Sequence, residues 1–205
     1  MTAKDIASFF PPCAYLPMEM SRLNVAVQDR VGIALDRSAS GDRSAFGDLV
    51  EEHQGMVFSL AYHALGDSAA AEDVAQEVFF DLYRSLSSIK SPGHLKHWLR
   101  KTASHRTIDA LRRRRTPEVS LDEVPEPAIP SRSPDPLLSR KLRGLVQTLP
   151  AKARMAVILR YQEEMELQEI AELLGMPVNS IKSSLHRSLG ILREKISRSM
   201  GDFRV

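Results

Sequence analysis

The stretch LQEIAELLGMPVNSIKSSLHRSLGILREKI, residues 167–196, predicts two helices joined by a tight turn. The first helix has the small residue Ala171 where its partner would pack, and Gly175 stands where the chain must turn. The second helix can be capped at its start by Asn179 or Ser180. This pattern is typical of a helix-turn-helix, and the alternative is a helical hairpin that only packs inside a bundle.

The second helix of this stretch separates an apolar row from a polar and basic row. The apolar row, which predicts the buried face, consists of Ile181, Leu185, Leu189 and Leu192. The opposite face would present side chains able to reach base edges and phosphates in a major groove. These candidates for DNA binding are Asn179, Ser180, Lys182, Ser183, His186 and Arg187.

A proline-rich, acidic stretch divides the chain in two. Residues 116–136 hold six of the 12 prolines and five acidic residues against one arginine. Proline lacks a backbone donor and disfavours helix at the preceding residue, so we expect an extended, mobile linker here. Helical periodicity on both sides, without strand-like alternation, predicts an all-α protein with two small helical domains.

A strongly basic stretch, LKHWLRKTASHRTIDALRRRR, covers residues 95–115 and follows the loop-like SSIKSPGH of residues 87–94. It holds eight Lys or Arg, and Asp109 is its only acidic residue. Its apolar stripe predicts a helix, and so much charge of one sign favours a polyanion alongside it. The four arginines at 112–115 are also compatible with a solvated helix end or an import signal.

The segment AEDVAQEVF, residues 71–79, predicts a helix with an acidic outer face. That face could be a metal site, a partner-binding surface or a plain solvated surface. A metal site is disfavoured because no histidine stands at a matching offset, and calcium and magnesium sites usually draw oxygens from loops. The outer face comprises Glu72, Asp73, Gln76 and Glu77.

The composition excludes several functional classes. The formal net charge is only +2, so charged partners must be inferred from the distribution of charge. A single cysteine, Cys13, excludes an intramolecular disulfide framework and a Cys-rich zinc site, and it favours a reducing compartment. No apolar run approaches the roughly 20 residues of a membrane span, and prolines interrupt the N-terminus. We therefore expect a cytoplasmic protein without membrane insertion.

Catalytic motifs are missing from the sequence. No HExxH pair, Gly-rich phosphate loop or nucleophile elbow accompanies the six histidines. We therefore expect no catalytic residue, no metal and no cofactor.

Taken in order, these segments resemble bacterial RNA polymerase sigma factors of the sigma-70 family, specifically the small extracytoplasmic function (ECF) subgroup. AEDVAQEVF is similar to region 2.2 of that family, LKHWLRKTASHRTIDALRRRR to regions 2.3 and 2.4, and LPAKARMAVILRYQEEMELQEIAELLGMPVNSIKSSLHRSLGILREKI to region 4. The resemblance runs from about residue 34 to residue 196. It implies a poorly ordered N-terminal extension at 1–33, a region 2 helical bundle at 34–115, the linker at 116–136 and a region 4 helix-turn-helix at 137–198.

The resemblance also implies a non-enzymatic initiation factor that binds core RNA polymerase, at its β′ clamp and β flap, and promoter DNA. Region 2.2 of the family docks on the clamp, and the implied residues are Asp73, Gln76, Glu77 and Phe79. Regions 2.3 and 2.4 hold the melted −10 element, and the implied residues are Lys90, His94, Lys96, Arg100, Lys101, His105, Arg106, Arg112, Arg113, Arg114 and Arg115. Region 4 reads the −35 element with the six polar residues of the helix-turn-helix named above.

The chain departs from the family pattern at several positions. Ser104 and His105 stand where the family often has Arg and Asn, Ser184 replaces a common Arg, and Leu189 replaces another basic or polar residue, so we expect an altered promoter preference. The family further implies an anti-sigma factor as a partner. The runner-up interpretation is a stand-alone helix-turn-helix regulator with an N-terminal sensing domain. A nuclease would need clustered carboxylates that the basic segments lack.

Overall fold

A computed structural model describes residues 20–114 and 136–201, and the side chains of residues 29–114 and 141–198. The described residues form eight α-helices and one 3-10 turn and contain no strand, so the all-α prediction is confirmed. None of these helices is both long and apolar enough to cross a membrane. The helices are α1 Met20–Ala39, α2 Arg43–Leu65, α3 Ser68–Ser85, α4 Pro92–Arg114, α5 Pro136–Gln147, α6 Ala151–Tyr161, α7 Leu167–Leu174 and α8 Val178–Gly201, with the 3-10 turn Leu86–Ser88 between α3 and α4.

Short capping contacts set the junctions between the first helices. Asp42 caps α2, since its carboxylate accepts a hydrogen bond from the amide of Ser44 at 2.9 Å. Gly66 ends α2 in the left-handed conformation, with φ at 71°, which glycine adopts without steric cost. Asp67 then caps α3 by accepting from the amide of Ala70 at 3.3 Å. Gly66 and Asp67 are the two residues between α2 and α3, and these helices pack against one another.

Apolar stripes of α2, α3 and α4 form the core of the first half, where α4 packs against both α2 and α3. Full burial of one such aliphatic side chain stabilises the fold by about 1.5–3 kcal/mol. Because these stripes are buried, the opposite faces of α3 and α4 remain at the surface. The buried members include Leu49, Val57 and Leu60 of α2, Val74, Val78 and Leu82 of α3, and Leu95, Leu99 and Ile108 of α4.

Helix α1 crosses the domain boundary expected at residue 34. It begins at Met20, and Val31 is buried in the core beside Ala34 and Leu35. Residues 20–33 of the expected extension are thus helical, while residues 1–19 lie outside the described part of the chain.

The stretch SSIKSPGH, residues 87–94, contains less loop than the sequence predicts. Its first two residues complete the 3-10 turn, and α4 begins at Pro92. Proline suits the first turn of a helix because its missing N–H would have no intrahelical partner there. The hydroxyl of Ser91 accepts from the amide of His94 at 3.2 Å, as an N-cap residue does. The loop prediction is therefore wrong for residues 92–94.

The predicted helix-turn-helix consists of α7 and α8. The amide of Glu166 donates to the carboxylate of Glu169 at 2.8 Å, which completes a capping box at the start of α7. Gly175 ends α7 with φ at 61°, and the amide of Met176 donates to the carbonyl oxygen of Ala171 at 2.9 Å. After this left-handed turn, α8 begins three residues later, at Val178.

The second half packs against the first. Helix α6 lies against α2 and α4, α5 lies against α2, and α7 lies against α4, so that the buried apolar residues of both halves form one continuous cluster. The buried guanidinium of Arg154 donates to the carbonyl oxygen of Ala64 at 2.5 Å. The side-chain amide of Gln162 donates to the hydroxyl of Ser59 at 2.8 Å. The linker predicted to join these halves lies outside the described residues, apart from Pro136 at the start of α5.

Candidate functional site

Helix α3 presents most of the residues expected to bind polymerase. Asp73, Gln76 and Glu77 are exposed, whereas Phe79 is buried in the core. The neighbouring Phe80 is 56% exposed, although the sequence analysis did not select it. Consecutive residues point about 100° apart on a helix, so the paired phenylalanines could have signalled that one ring faces outward.

An apolar groove of about 1060 Å³ lies between α2 and α3, beside the acidic residues. Within it, Phe46 and Tyr83 pack edge to face with ring centroids 5.2 Å apart, and Tyr83 is 51% exposed. The guanidinium of Arg84 lies 4.0 Å from the centroid of the Phe80 ring. Exposed apolar grooves with a polar rim commonly bind protein partners. The apolar lining consists of Phe46, Val50, Phe58, Ala75, Phe79, Phe80 and Tyr83, and the polar lining of Arg43, Gln54, Glu72 and Gln76.

Arg106 of α4, expected to hold DNA, instead contacts two carboxylates of α3. Its Nη2 and Nε donate to Asp81 Oδ2 at 2.6 and 3.2 Å, and its Nη1 donates to Glu77 Oε2 at 3.0 Å. The hydrogen bond to Asp81 raises the pKa of Arg106 above its ordinary value. Because Glu77 belongs to the expected polymerase-binding face, Arg106 joins that face to the basic helix. Asp81 was not among the residues predicted from the sequence.

Two further residues of α4 that were expected to bind DNA face the second half of the protein. The Nη2 of Arg100 lies 2.7 Å from Glu163 Oε2, and both side chains are largely buried. The Nε2 of His105 donates to the carbonyl oxygen of Leu173 at 2.9 Å. The basic surface of α4 that is available to DNA is therefore smaller than the sequence predicts.

The other described basic residues of the first half are exposed. Arg112 pairs with Asp109 one turn away, at 3.2 Å, and Arg114 pairs with Asp67 at the start of α3. The amide of Lys90 donates to Nδ1 of His94 at 3.3 Å. Arg115 lies outside the described residues. The exposed members of the predicted set are Lys90, His94, Lys96, Lys101, His105, Arg112, Arg113 and Arg114, and His105 is exposed in spite of its hydrogen bond to Leu173.

A small pocket of about 300 Å³ opens among these residues on the outer face of α4. The half-buried indole of Trp98 forms one wall, and His105 and Asp109 contribute polar atoms. An aromatic wall with hydrogen-bonding groups around it can hold an unstacked nucleobase. The complete lining is Trp98, Lys101, Thr102, His105, Arg106 and Asp109.

Helix α8 exposes the residues expected to read a major groove. Ile181 and Leu185 are buried, and they fix the helix so that its opposite face is at the surface. The Nε of Arg187 donates to the carbonyl oxygen of Ser183 at 3.3 Å, which leaves most of the guanidinium donors available. Of the predicted set, Asn179, Lys182, Ser183, His186 and Arg187 are exposed and Ser180 is half-buried.

Two histidines of α2 have lowered pKa values. Burial, together with the nearby charge of Arg143, lowers the pKa of His63 to about 4. Burial also lowers the pKa of His53. In the part of the chain that the structure describes, no group of three or more His, Cys, Asp or Glu side chains could hold a metal ion.

Comparison with known proteins agrees with this geometry. The family model described as Sigma-70 region 2 matches residues 49–116, and the model described as Sigma-70, region 4 matches residues 139–192. The chain is 31% identical over 175 residues to the ECF RNA polymerase sigma factor SigW of Bacillus subtilis, covering 76% of this chain and 91% of that protein. It is 30% identical over 180 residues to the ECF RNA polymerase sigma-E factor of Escherichia coli, covering 80% and 93%.

Solved structures share the same fold. The structure of CnrH in complex with the cytosolic domain of CnrY is similar with a TM-score of 0.58 and 21% identity, over 83% of this chain and 98% of that one. The sigma factor RpoE of Bartonella quintana, in complex with the anti-sigma factor NepR, gives a TM-score of 0.61 and 20% identity, over 74% and 96%. The matched family models cover both helical halves, and the relatives match over most of their own length. The chain therefore belongs to the ECF RNA polymerase sigma factors of the sigma-70 family.

Proposed function

We propose that this sigma factor divides promoter recognition between its two halves. As an ECF sigma factor it is a non-enzymatic initiation factor that binds core RNA polymerase and directs it to promoter DNA. The observation that supports the division is that α4 and α8 each bury an apolar row and expose a basic and polar row. The first half, called the first unit below, comprises residues 34–115, and α1 extends it toward Met20. The second unit comprises residues 137–198, and the linker at 116–136 joins the two.

The second unit reads the −35 element in duplex DNA through α8. His186 and Arg187 follow Lys182 by about one turn on the exposed face, which suits the rise of a helix in a major groove. Asn179, Ser180 and Ser183 at the start of the helix add donors and acceptors for bases and phosphates. Ser184 is half-buried, so the family's usual arginine contact at this position is absent here.

The first unit holds the melted −10 element along α4. Its exposed cations, above all Lys96, Lys101, Arg112 and Arg113, follow the backbone of a separated strand, while the pocket beside Trp98 accepts a base. His105 lines this pocket, so the base preference depends on an imidazole rather than on the family's usual asparagine. Arg115 continues the same basic run in the sequence.

Polymerase binds the acidic face of α3 and the adjacent aromatic groove. Asp73, Gln76 and Glu77 form the polar rim, and Phe80 and Tyr83 offer the exposed apolar area that hot spots of protein interfaces require. Phe79 supports this surface from the core. The β′ clamp is the partner of this face, and the β flap is the partner of the second unit.

An anti-sigma factor is a further partner, and the chain acts in the cytoplasm with polymerase and DNA. Support for the inhibitor comes from the similar solved structures, in which RpoE is bound to the anti-sigma factor NepR and CnrH to the cytosolic domain of CnrY. Copurification from cells, followed by mass spectrometry, tests both partners. Recovery of neither polymerase subunits nor an inhibitor would contradict the assignment.

Two variants of α8 test the division of labour in transcription with core polymerase on genomic fragments. Lys182→Ala combined with Arg187→Ala should abolish initiation at promoters that need the −35 element, while polymerase binding is kept. Arg198→Ala is the matched control, because Arg198 lies on the same helix but pairs with Glu194 at 2.5 Å. Equal activity of both variants would remove α8 from promoter recognition.

A simple binding assay distinguishes the sigma factor from the runner-up, a stand-alone helix-turn-helix regulator. A stand-alone regulator binds duplex DNA tightly without polymerase, whereas the sigma factor requires polymerase for tight promoter binding. Tight, sequence-specific binding by the purified chain alone would favour the regulator.

A further inference from the structure

The groove between α2 and α3 leaves several aromatic rings in contact with solvent. Phe80 and Tyr83 of α3 are 56% and 51% exposed, and Phe46 and Phe58 of α2 are half-buried. All four rings line the same cavity. An exposed apolar groove of this size with a polar rim is typical of a binding site for another chain segment. The chemistry of the groove therefore calls for a ligand that is apolar and rich in rings.

One stretch of this chain has the matching chemistry. Residues 6–18, IASFFPPCAYLPM, carry no charged side chain and include Phe9, Phe10 and Tyr15. Burial of such a stretch does not require removing a charge from water. The stretch also holds three prolines. Proline-rich segments commonly dock in aromatic-lined grooves, because proline fixes φ and lowers the conformational entropy lost on binding.

The stretch is connected to the groove through α1. It directly precedes α1, which packs along α2, one wall of the groove. Helix α1 lies on the side of α2 that carries Asp48 and Glu52, since residues of both helices line a small cavity there. Phe10 stands about ten residues before Met20 and can lie about 33–36 Å from it when extended. A helix is about 10–12 Å wide, so the stretch is long enough to pass around α2 and reach the groove.

The covalent connection makes a modest contact sufficient. Effective concentrations are on the order of millimolar for short tethers, so a contact with an intrinsic Kd of about 1 mM is occupied about half of the time. Rings that enter the groove can pack edge to face, the geometry that Phe46 and Tyr83 already adopt with centroids 5.2 Å apart. Contacts of a few rings with the groove therefore suffice to keep it occupied.

We propose that residues 6–18 occupy the groove between α2 and α3 in the free chain, with Phe9 and Phe10 against the exposed rings of Phe80 and Tyr83. The stretch then competes with any other ligand of the groove. Competition lowers the apparent affinity of that ligand in proportion to the fraction of chains with an open groove. Competition with polymerase rests on the proposed role of the groove in binding the clamp.

Cys13, the only cysteine of the chain, lies inside this stretch and provides the test. Gln54→Cys on α2 and Gln76→Cys on α3 each place an exposed thiol in the lining of the groove. Glu52→Cys is the matched control, because it places an exposed thiol on the same helix about 200° away from Gln54. The measurement is the rate of intramolecular disulfide formation in each full-length variant with oxidised glutathione, followed by mass spectrometry. At least one groove variant should react at least about tenfold faster than the control, because docking holds its two thiols close together.

Further variants show whether the rings anchor the stretch. Phe9→Ser combined with Phe10→Ser should lower the fast rate to that of Glu52→Cys. Similar rates at all three cysteine positions, or a fast rate that survives the two serines, would overturn the proposal. A rate that rises with protein concentration would identify a second copy of the chain as the occupant and would also overturn it.

Core polymerase added to the groove variants separates this inference from the proposed function. Polymerase should slow formation of the disulfide, because it displaces the stretch from the groove. Fast and selective disulfide formation that polymerase does not slow would support docking of the stretch and contradict only the proposed polymerase site.

Discussion

The guanidinium of Arg106 donates two hydrogen bonds to one oxygen of Asp81, from Nη2 at 2.6 Å and from Nε at 3.2 Å. This contact joins the basic helix α4 to the helix α3 that carries the acidic face. An arginine held in this way positions two surfaces relative to one another and has fewer donors left for a DNA phosphate.

Arg106→Gln should therefore leave the salt dependence of promoter binding by the polymerase complex unchanged. Each phosphate contact contributes about one to the slope of log affinity against log salt concentration, so its loss lowers that slope by about 1. Lys101→Gln, on the exposed side of the same helix, should show this reduction. If the two variants reduce the slope equally, Arg106 contacts a DNA phosphate, and the inference that it binds only the carboxylates of α3 is contradicted.

Arg187→Ala should weaken binding of the −35 element by about 1–3 kcal/mol if the guanidinium makes a bidentate base contact. The loss should be concentrated at one or two base pairs, because a base contact carries sequence information that a phosphate contact lacks. The measurement compares binding of the polymerase complex to promoters with single substitutions in the −35 element. An unchanged base preference would remove Arg187 from the readout.

Phe80→Ala should weaken binding of core polymerase by about 1–2 kcal/mol, the loss expected for an aromatic anchor in an interface. The free energy of unfolding should change little, since the ring is largely exposed. Titration of the labelled chain with core polymerase measures the effect. Ile33→Ala on α1 is the matched control, because Ile33 is also exposed but lies outside the groove. Equal losses for both variants would argue against the groove as the contact surface.

The buried His63 should make the fold less stable in mild acid. Its pKa is about 4 in the folded chain, against an ordinary value of 6.5. Between these values the unfolded chain binds more protons, so the free energy of unfolding falls as the pH is lowered through this range, by about 2 kcal/mol from this group at pH 5.

Urea unfolding at about pH 7 and about pH 5 measures this loss. His63→Gln should remove it, because glutamine does not titrate. His97→Gln, which replaces an exposed histidine, should lose stability as the wild type does. The same loss in the His63 variant as in the wild type would exclude His63 as its source.

The helices, their buried faces and the helix-turn-helix could be predicted from the sequence because their signals are local. Ile181 and Leu185 repeat at helical spacing, and Gly175 stands at the turn between α7 and α8, where φ is positive. The start of α4 at Pro92 was missed because a Ser-Pro pair favours turns, while proline also suits the first position of a helix.

The contacts between the halves could not be predicted in the same way. The pairing of Arg100 with Glu163 depends on how α6 packs against α2 and α4, which no local pattern encodes. Three of the residues counted as DNA contacts in the sequence thus contact other parts of the protein: Arg100, His105 and Arg106. The sequence also did not show which of the adjacent residues Phe79 and Phe80 is exposed. The reason is related, because tertiary packing sets the boundary of a helix's buried face.

The most direct test of the central claim is transcription in vitro with core RNA polymerase, sheared DNA from the source genome and the purified full-length chain. The 5′ ends of the transcripts should map to a defined set of start sites that share −10 and −35 elements, and core polymerase alone should produce none of them. Transcripts identical with and without the chain, over all genomic fragments, would contradict its function as a promoter-specific sigma factor.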